Sequence, residues 1–134
     1  MTATAGYSGR PLSAKLGFKP GMVVLLRDPP AVYPALLADA ADVSFVADSA
    51  GLVDAVHRFL TGATPDPDAI RADIAALKPG GMLWLSWAKK ASALFSGITE
   101  DDLRRAVLPL GWVDVKVCAV DADWSGLKFL RRRA

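Results

Sequence analysis

The chain has 134 residues, 52% of them hydrophobic and 22% charged, and its sixteen basic and fourteen acidic side chains leave a formal charge of +2. A chain of that size and composition builds one compact core without help from disulfides or metal, which excludes disorder and a second full domain. The longest apolar runs, Met22 to Leu26 and Met82 to Leu85, fall far short of the roughly 20 residues of a membrane-crossing helix, and the near-balanced charge excludes a strong general attraction to nucleic acid.

Residues 1–10 carry Gly, Ser and Thr without apolar periodicity and read as a loosely docked arm ahead of a domain spanning residues 11–131. Pro11 suits the first position of a short helix in which Leu12 and Leu16 share a face, and Gly17 supplies a left-handed stop. Lys19-Pro20-Gly21 turns the chain into Met22 to Arg27, a continuous apolar run of the kind buried on both faces of a parallel sheet. Asp28-Pro29-Pro30 breaks it, and Tyr33 to Ala38 has room only for a short helix.

Val43 to Ala47 reads as a second strand. Leu52 to Thr61 has helical spacing at Leu52, Val56, Phe59 and Leu60, yet its residue types and the flanking Gly51 and Gly62 favour a third strand over Asp54 to Leu60. Between Pro65 and Lys78 the stripe Ile70, Ile74, Leu77 predicts a helix capped by Asp66 or Asp68 and ended by Pro79-Gly80-Gly81. Met82 to Trp87 is the next buried strand, followed by a polar loop over residues 88–98. Thr99 then caps a helix whose first turn, Glu100-Asp101-Asp102, puts negative charge where the helix dipole favours it, and Pro109 and Gly111 end it. Alternating Val113, Val115, Val117 and Ala119, a turn at Asp121-Ala122-Asp123 and a strand from Trp124 to Leu130 make an antiparallel hairpin. The sum is a small α/β, Rossmann-like, mostly parallel sheet with helices on both faces, strand order 3-2-1-4 and the hairpin beyond strand 4.

Lys15-Leu-Gly-Phe-Lys-Pro-Gly-Met-Val-Val-Leu-Leu26 and Leu77-Lys-Pro-Gly-Gly-Met-Leu-Trp-Leu85 resemble the entries to the first and fourth strands of class I methyltransferases. Tyr7-Ser-Gly-Arg-Pro-Leu12, the pair Lys89-Lys90 and the stretch from Val115 to Phe129 are similar to a bacterial family of small methyltransferase-like domains that carries no assigned activity. The first resemblance implies a cofactor loop after the first strand, where glycines let backbone N–H groups reach the ligand. Here that loop is Arg27-Asp28-Pro29-Pro30-Ala31, which lacks glycine and loses two donors to proline, and this argues against S-adenosylmethionine or a dinucleotide in the usual pose. Asp48 argues the other way, because it lies about 20 residues past the first strand, where an acid holds a ribose in Rossmann sites, although a solvated carboxylate is the simpler explanation.

Ligands of open parallel sheets sit outside the carboxyl ends of strands, where strand order reverses. For the expected order that crevice lies between the loops after strands 1 and 4, and holds Asp28, Lys89, Lys90 and Ser92. Two ammonium groups and a hydroxyl suit a phosphate or carboxylate; a Lys89–Asp28 ion pair beside an exposed Lys90 is the competing explanation. Trp124 beside Ser125-Gly126 is a candidate ligand or partner anchor, whereas Trp84 fills the core. His57, the only histidine, reads as a surface or half-buried residue rather than a general base, and Cys118, the only cysteine, as an inert thiol in a reducing, cytoplasmic setting, although it shares a face with Lys116. Arg131 to Arg133 beside Lys128 are a basic tail, most simply solvated. No metal-ligand cluster, phosphate loop or nucleophile elbow occurs. Three functions stay open: a non-catalytic methyltransferase-like domain binding an anionic small molecule or a protein, a methyltransferase with a glycine-free cofactor loop, and nucleic-acid binding through the basic tail.

Overall fold

In the computed structural model, residues 11–133 are described; the expected arm over residues 1–10 and Ala134 lie outside them. The elements run α1 (Leu12–Leu16), β1 (Val23–Arg27), α2 (Tyr33–Leu36), β2 (Ser44–Val46), β3 (Val53–Leu60), α3 (Pro67–Ala75), β4 (Leu77–Ala88), α4 (Glu100–Val107), a 3₁₀ turn at Leu108–Leu110, β5 (Trp112–Ala119) and β6 (Trp124–Arg131). Local chemistry places the boundaries. Gly17 closes α1 in the left-handed region at φ 79°, Asp66 caps α3 by accepting from the N–H groups of Asp68 and Ala69, and Thr99 and Asp102 form a reciprocal capping box on α4. No helix among the described residues is long and apolar enough to cross a membrane.

The strands form one six-stranded sheet in the order β2-β1-β3-β4-β6-β5, parallel from β2 through β4 and antiparallel at β6 and β5. The α/β Rossmann-like class and the hairpin are as expected, but the order 3-2-1-4 is not. β3 is buried along almost its whole length, so it needs a neighbour on each side and cannot stand at the edge. β2 has only three residues, one exposed and two half-buried, and takes the edge instead. The segment Pro79-Gly80-Gly81 also differs from expectation. α3 already ends at Ala75 and β4 starts at Leu77 opposite Val53; pairing then resumes at Met82 opposite Ala55, so residues 78–81 bulge out of the ladder. Gly81 permits this, since a Cβ there would lie 3.1 Å from the carbonyl oxygen of Asp54.

Each face of the sheet carries its own apolar layer. On one, Leu25, Val56, Leu83, Leu85 and Phe129 pack under Ile70 of α3 and Leu103 and Val107 of α4. On the other, Val24, Ala55, Phe59 and Trp84 pack with Leu16, Phe18, Tyr33 and Trp124. Alternation along β3 sends neighbouring residues to opposite layers, and this is what divides His57 from Arg58.

Candidate functional site

The chain passes from β1 to β2 on one side and then crosses back past β1 to β3 on the other, so the topological switch point lies at the carboxyl ends of β1 and β3 rather than between β1 and β4. Arg27 ends β1 and pairs in register with Arg58 of β3, and both guanidinium groups face α3. Arg58 makes a bidentate pair with Asp73, Nε to Oδ2 at 2.5 Å and Nη2 to Oδ1 at 2.9 Å. The Asp73 side chain is fully buried and that of Arg58 is 15% exposed. The hydrogen bond to Asp73 holds the Arg58 proton more tightly than usual, against the opposing effect of burial.

Arg27 is less well satisfied. One Nη donates to the Ala47 carbonyl at 3.3 Å and lies 3.9 Å from Asp48, while Nε is buried without a hydrogen-bond partner, 3.8 Å from Asp73. Asp28, in the left-handed region at φ 52°, lies 3.8 Å from Arg58. Asp48 stands just past the end of β2 with its side chain 95% exposed. Two of the expected site residues, Asp28 and Asp48, therefore do meet at the switch point, through two arginines and an aspartate that the sequence reading did not select.

The other candidates form a separate group. Lys89 donates through Nζ to the Asp121 carbonyl at 2.7 Å, and Ser92 through Oγ to the Asp123 carboxylate at 2.7 Å. Both hold the 121–123 turn in place, and Lys89 does not pair with Asp28. Lys90 is exposed. Trp124 is no anchor: it is 5% exposed and its ring meets Phe59 edge-on at 5.1 Å. It closes the core because β6 starts directly beneath the turn.

His57 also departs from expectation, being fully buried. Its Nδ1 lies 2.9 Å from the Tyr33 hydroxyl, its Nε2 lies 2.7 Å from Ser86 Oγ, and Phe59 stacks on the ring at 4.4 Å. A neutral imidazole donates from one nitrogen and accepts at the other, so both hydroxyl bonds are satisfied. Burial pushes its pKa from 6.5 down to about 3 and raises that of Tyr33. Ser86 and Tyr33 are themselves enclosed, so the relay organises the core and does not meet substrate. Cys118 is half-buried, and burial raises its thiol pKa despite Lys15 and Lys116 nearby. Among the described residues no group of three or more His, Cys, Asp or Glu is arranged to hold a metal.

A histidine and an arginine inside the apolar run of β3 were the available signal, since polar groups at that depth require partners. Asp73, on the Ile70–Ile74 stripe of α3, was the partner to look for.

No protein-family model matches the chain, and no curated protein matches it in sequence. Solved structures do resemble it. A candidate type 11 methyltransferase from Sulfolobus solfataricus superposes with TM-score 0.64 at 15% identity over 92% of this chain and 90% of that one. A SAM-dependent methyltransferase from Aquifex aeolicus gives 0.62 at 13% over 87% and 85%. A SAM-dependent methyltransferase from Thiobacillus denitrificans, solved in complex with S-adenosyl-L-homocysteine, gives 0.61 at 11% over 97% and 94%.

The fold is therefore that of the S-adenosylmethionine-dependent methyltransferases, spanning nearly the full length of these neighbours. The residues at the switch point fit part of such a cofactor. Asp48 offers an open carboxylate just past β2, and Arg27 offers the half-exposed outer part of its guanidinium, its Nε being buried towards Asp73. The loop after β1 does not supply the usual row of N–H donors, because Pro29 and Pro30 occupy it.

Proposed function

We propose that the chain is an S-adenosylmethionine-binding domain of the methyltransferase kind, with its site at the carboxyl ends of β1, β2 and β3. The observation that carries this is the coincidence of the switch point with an exposed carboxylate, Asp48, in a fold whose solved neighbours include methyltransferases. In this reading Asp48 accepts from the ribose hydroxyls, and Arg27 stands in for the absent glycine loop as donor to the carboxylate of the amino-acid moiety. The bound cofactor would supply an electrophilic methyl group. Arg58, Asp73 and Asp28 position Arg27 and the β1 loop and do not touch the ligand.

The test is titration of the chain with S-adenosylmethionine and S-adenosylhomocysteine, by calorimetry and by thermal shift. A ligand at one hundred times its dissociation constant stabilises the fold by about 2.7 kcal/mol. Saturable binding that Asp48→Ala weakens about tenfold or more, without lowering the melting temperature, is the expected result. No response at millimolar ligand would refute it.

Pro29 and Pro30 favour a second reading, in which the domain is non-catalytic and its crevice takes a different anionic small molecule or a partner. Under it, nucleotides or sugar phosphates shift the melting temperature and the two S-adenosyl compounds do not.

A further inference from the structure

The second face of the sheet carries a group of lysines that no carboxylate among the described residues pairs with. Lys116 and Lys128 stand directly opposite one another across the β5–β6 pair. A register shift between Asp114 and Lys116 puts Lys116 on this face; without it, strict alternation would send Lys116 to the Asp114 side, where Arg104 binds Asp114 at 3.0 Å. Like charges in directly opposed positions are destabilising, and bulges of this kind re-aim side chains.

The end of α1 lies over the same place. Trp84 Nε1 donates to the Leu16 carbonyl at 2.9 Å, Lys116 Nζ donates to the Lys15 carbonyl at 2.6 Å, and a Cβ on Gly17 would lie 3.6 Å from Lys128 Nζ. Lys19 follows two residues later. Burial, then Lys116 and Lys19, lower the pKa of Lys128.

Six arginine and lysine side chains form every ion pair among the described residues, and Lys15, Lys19, Lys116 and Lys128 are not among them. The side chains of Lys15, Lys19 and Lys128 donate no hydrogen bond within the described residues, and residues 1–10 contain no Asp or Glu that could answer them. Lys116 has a structural task at the α1 carbonyl, and lysine stems do cover apolar surface. Neither purpose requires a second ammonium group opposite the first.

We propose that Lys15, Lys19, Lys116 and Lys128, gathered around Gly17, form a binding site for a compact, multiply charged phosphate group. Ammonium groups are point-charge donors suited to phosphate oxygens. Their grouping around one helix end fits an oligophosphate better than the extended backbone of a nucleic acid. The site is independent of the switch-point crevice and does not rest on S-adenosylmethionine binding.

Calorimetric titration of the full chain with tripolyphosphate at low ionic strength tests this. Saturable binding is expected, weakened about tenfold or more in the double variant Lys116→Gln with Lys128→Gln. The control Arg71→Gln with Arg105→Gln, which removes the same charge elsewhere, should leave the affinity unchanged within about twofold. The single variant Lys128→Gln, which relieves the repulsion and breaks no hydrogen bond among the described residues, should melt no lower than the parent without ligand yet bind tripolyphosphate less tightly, and this shows that lost binding is not lost folding. The proposal is overturned if tripolyphosphate gives no saturable binding, if both double variants weaken it equally, or if the folded Lys128→Gln variant binds it as tightly as the parent. It is likewise overturned if a single-stranded oligonucleotide binds more tightly than tripolyphosphate with a steep salt dependence, which would assign the lysines to a nucleic-acid backbone.

Discussion

His57 and Arg58 are adjacent on β3 and enter opposite faces of one sheet, where their polarity is accommodated in different ways. Arg58 keeps its charge and meets the enclosed carboxylate of Asp73 in a bidentate pair. His57 gives up its charge and is held between two neutral hydroxyls, with an aromatic ring stacked on it. Near the open end of the sheet the charged solution works because the Arg58 side chain stays partly exposed and Asp28 lies 3.8 Å from its outer guanidinium edge. Deep between aromatic rings only the neutral solution is affordable, because an uncompensated charge there has no solvent to relax into.

The largest effect should come from breaking the charged member. Asp73→Ala leaves Arg58 with no partner for its inner edge and costs about 3–5 kcal/mol, measured by urea unfolding. A loss below about 1 kcal/mol would mean that water already satisfies Arg58, and the contrast between the faces would vanish. The double variant Asp73→Leu with Arg58→Met removes both charges together and should recover most of that loss.

Next comes the neutral member, whose signature is a pH dependence. The folded-state pKa of His57 lies near 3 against an ordinary value of 6.5, so between those values the unfolded chain binds a proton that the folded chain refuses. Stability from this source is complete above about pH 6.5 and falls as pH drops towards 3, by about 1.4 kcal/mol per pH unit. His57→Leu should flatten that slope while costing about 2 kcal/mol or more at pH 7, because the Tyr33 and Ser86 hydroxyls lose their partner. An identical acid slope in parent and variant would place the proton uptake elsewhere.

Much of this architecture was legible in the sequence because it is local. Gly17, Asp66 and Thr99 announce their helix ends through backbone requirements that no tertiary contact overrides. Strand order was not legible, since β2 and β3 both read in sequence only as strands and the burial and pairing of β3 on both sides appear only in the folded sheet. The crevice was misplaced for that reason. Asp28 and Asp48 could be placed at strand ends because loops after strands are recognisable in sequence, whereas the Arg58–Asp73 pair joins residues fifteen positions apart and needs the packing of α3 on β3 to become visible. The bulge that re-aims Lys116 is likewise invisible to a period-two reading of β5.

A smaller effect should separate the two faces by volume rather than charge. A Cβ added at Gly126 would lie 3.1 Å from Trp84 Cε3 and 3.2 Å from Ser86 Oγ, so Gly126→Ala presses on the relay through its serine. Overpacking of this kind costs about 1–3 kcal/mol. Combining it with Ser86→Ala should be less than additive, because both act on one contact; full additivity would show that Trp84 alone absorbs the strain.

The smallest expected change in stability belongs to Asp48→Ala. Its carboxylate is open to solvent, and its only ion pair among the described residues is a 3.9 Å approach to Arg27, so screening by water leaves it little to contribute to folding. The melting temperature should be unchanged within error, while affinity for S-adenosylmethionine falls about tenfold or more if the carboxylate holds the ribose. This variant therefore isolates function from fold in a way that no change at His57, Arg58 or Asp73 can. If Asp48→Ala instead destabilises the protein, its role is to restrain Arg27, whose Nε already lacks a hydrogen-bond partner. The open rim of the charged face would then be part of the scaffold, and the place to seek a ligand-binding carboxylate would move to Asp28.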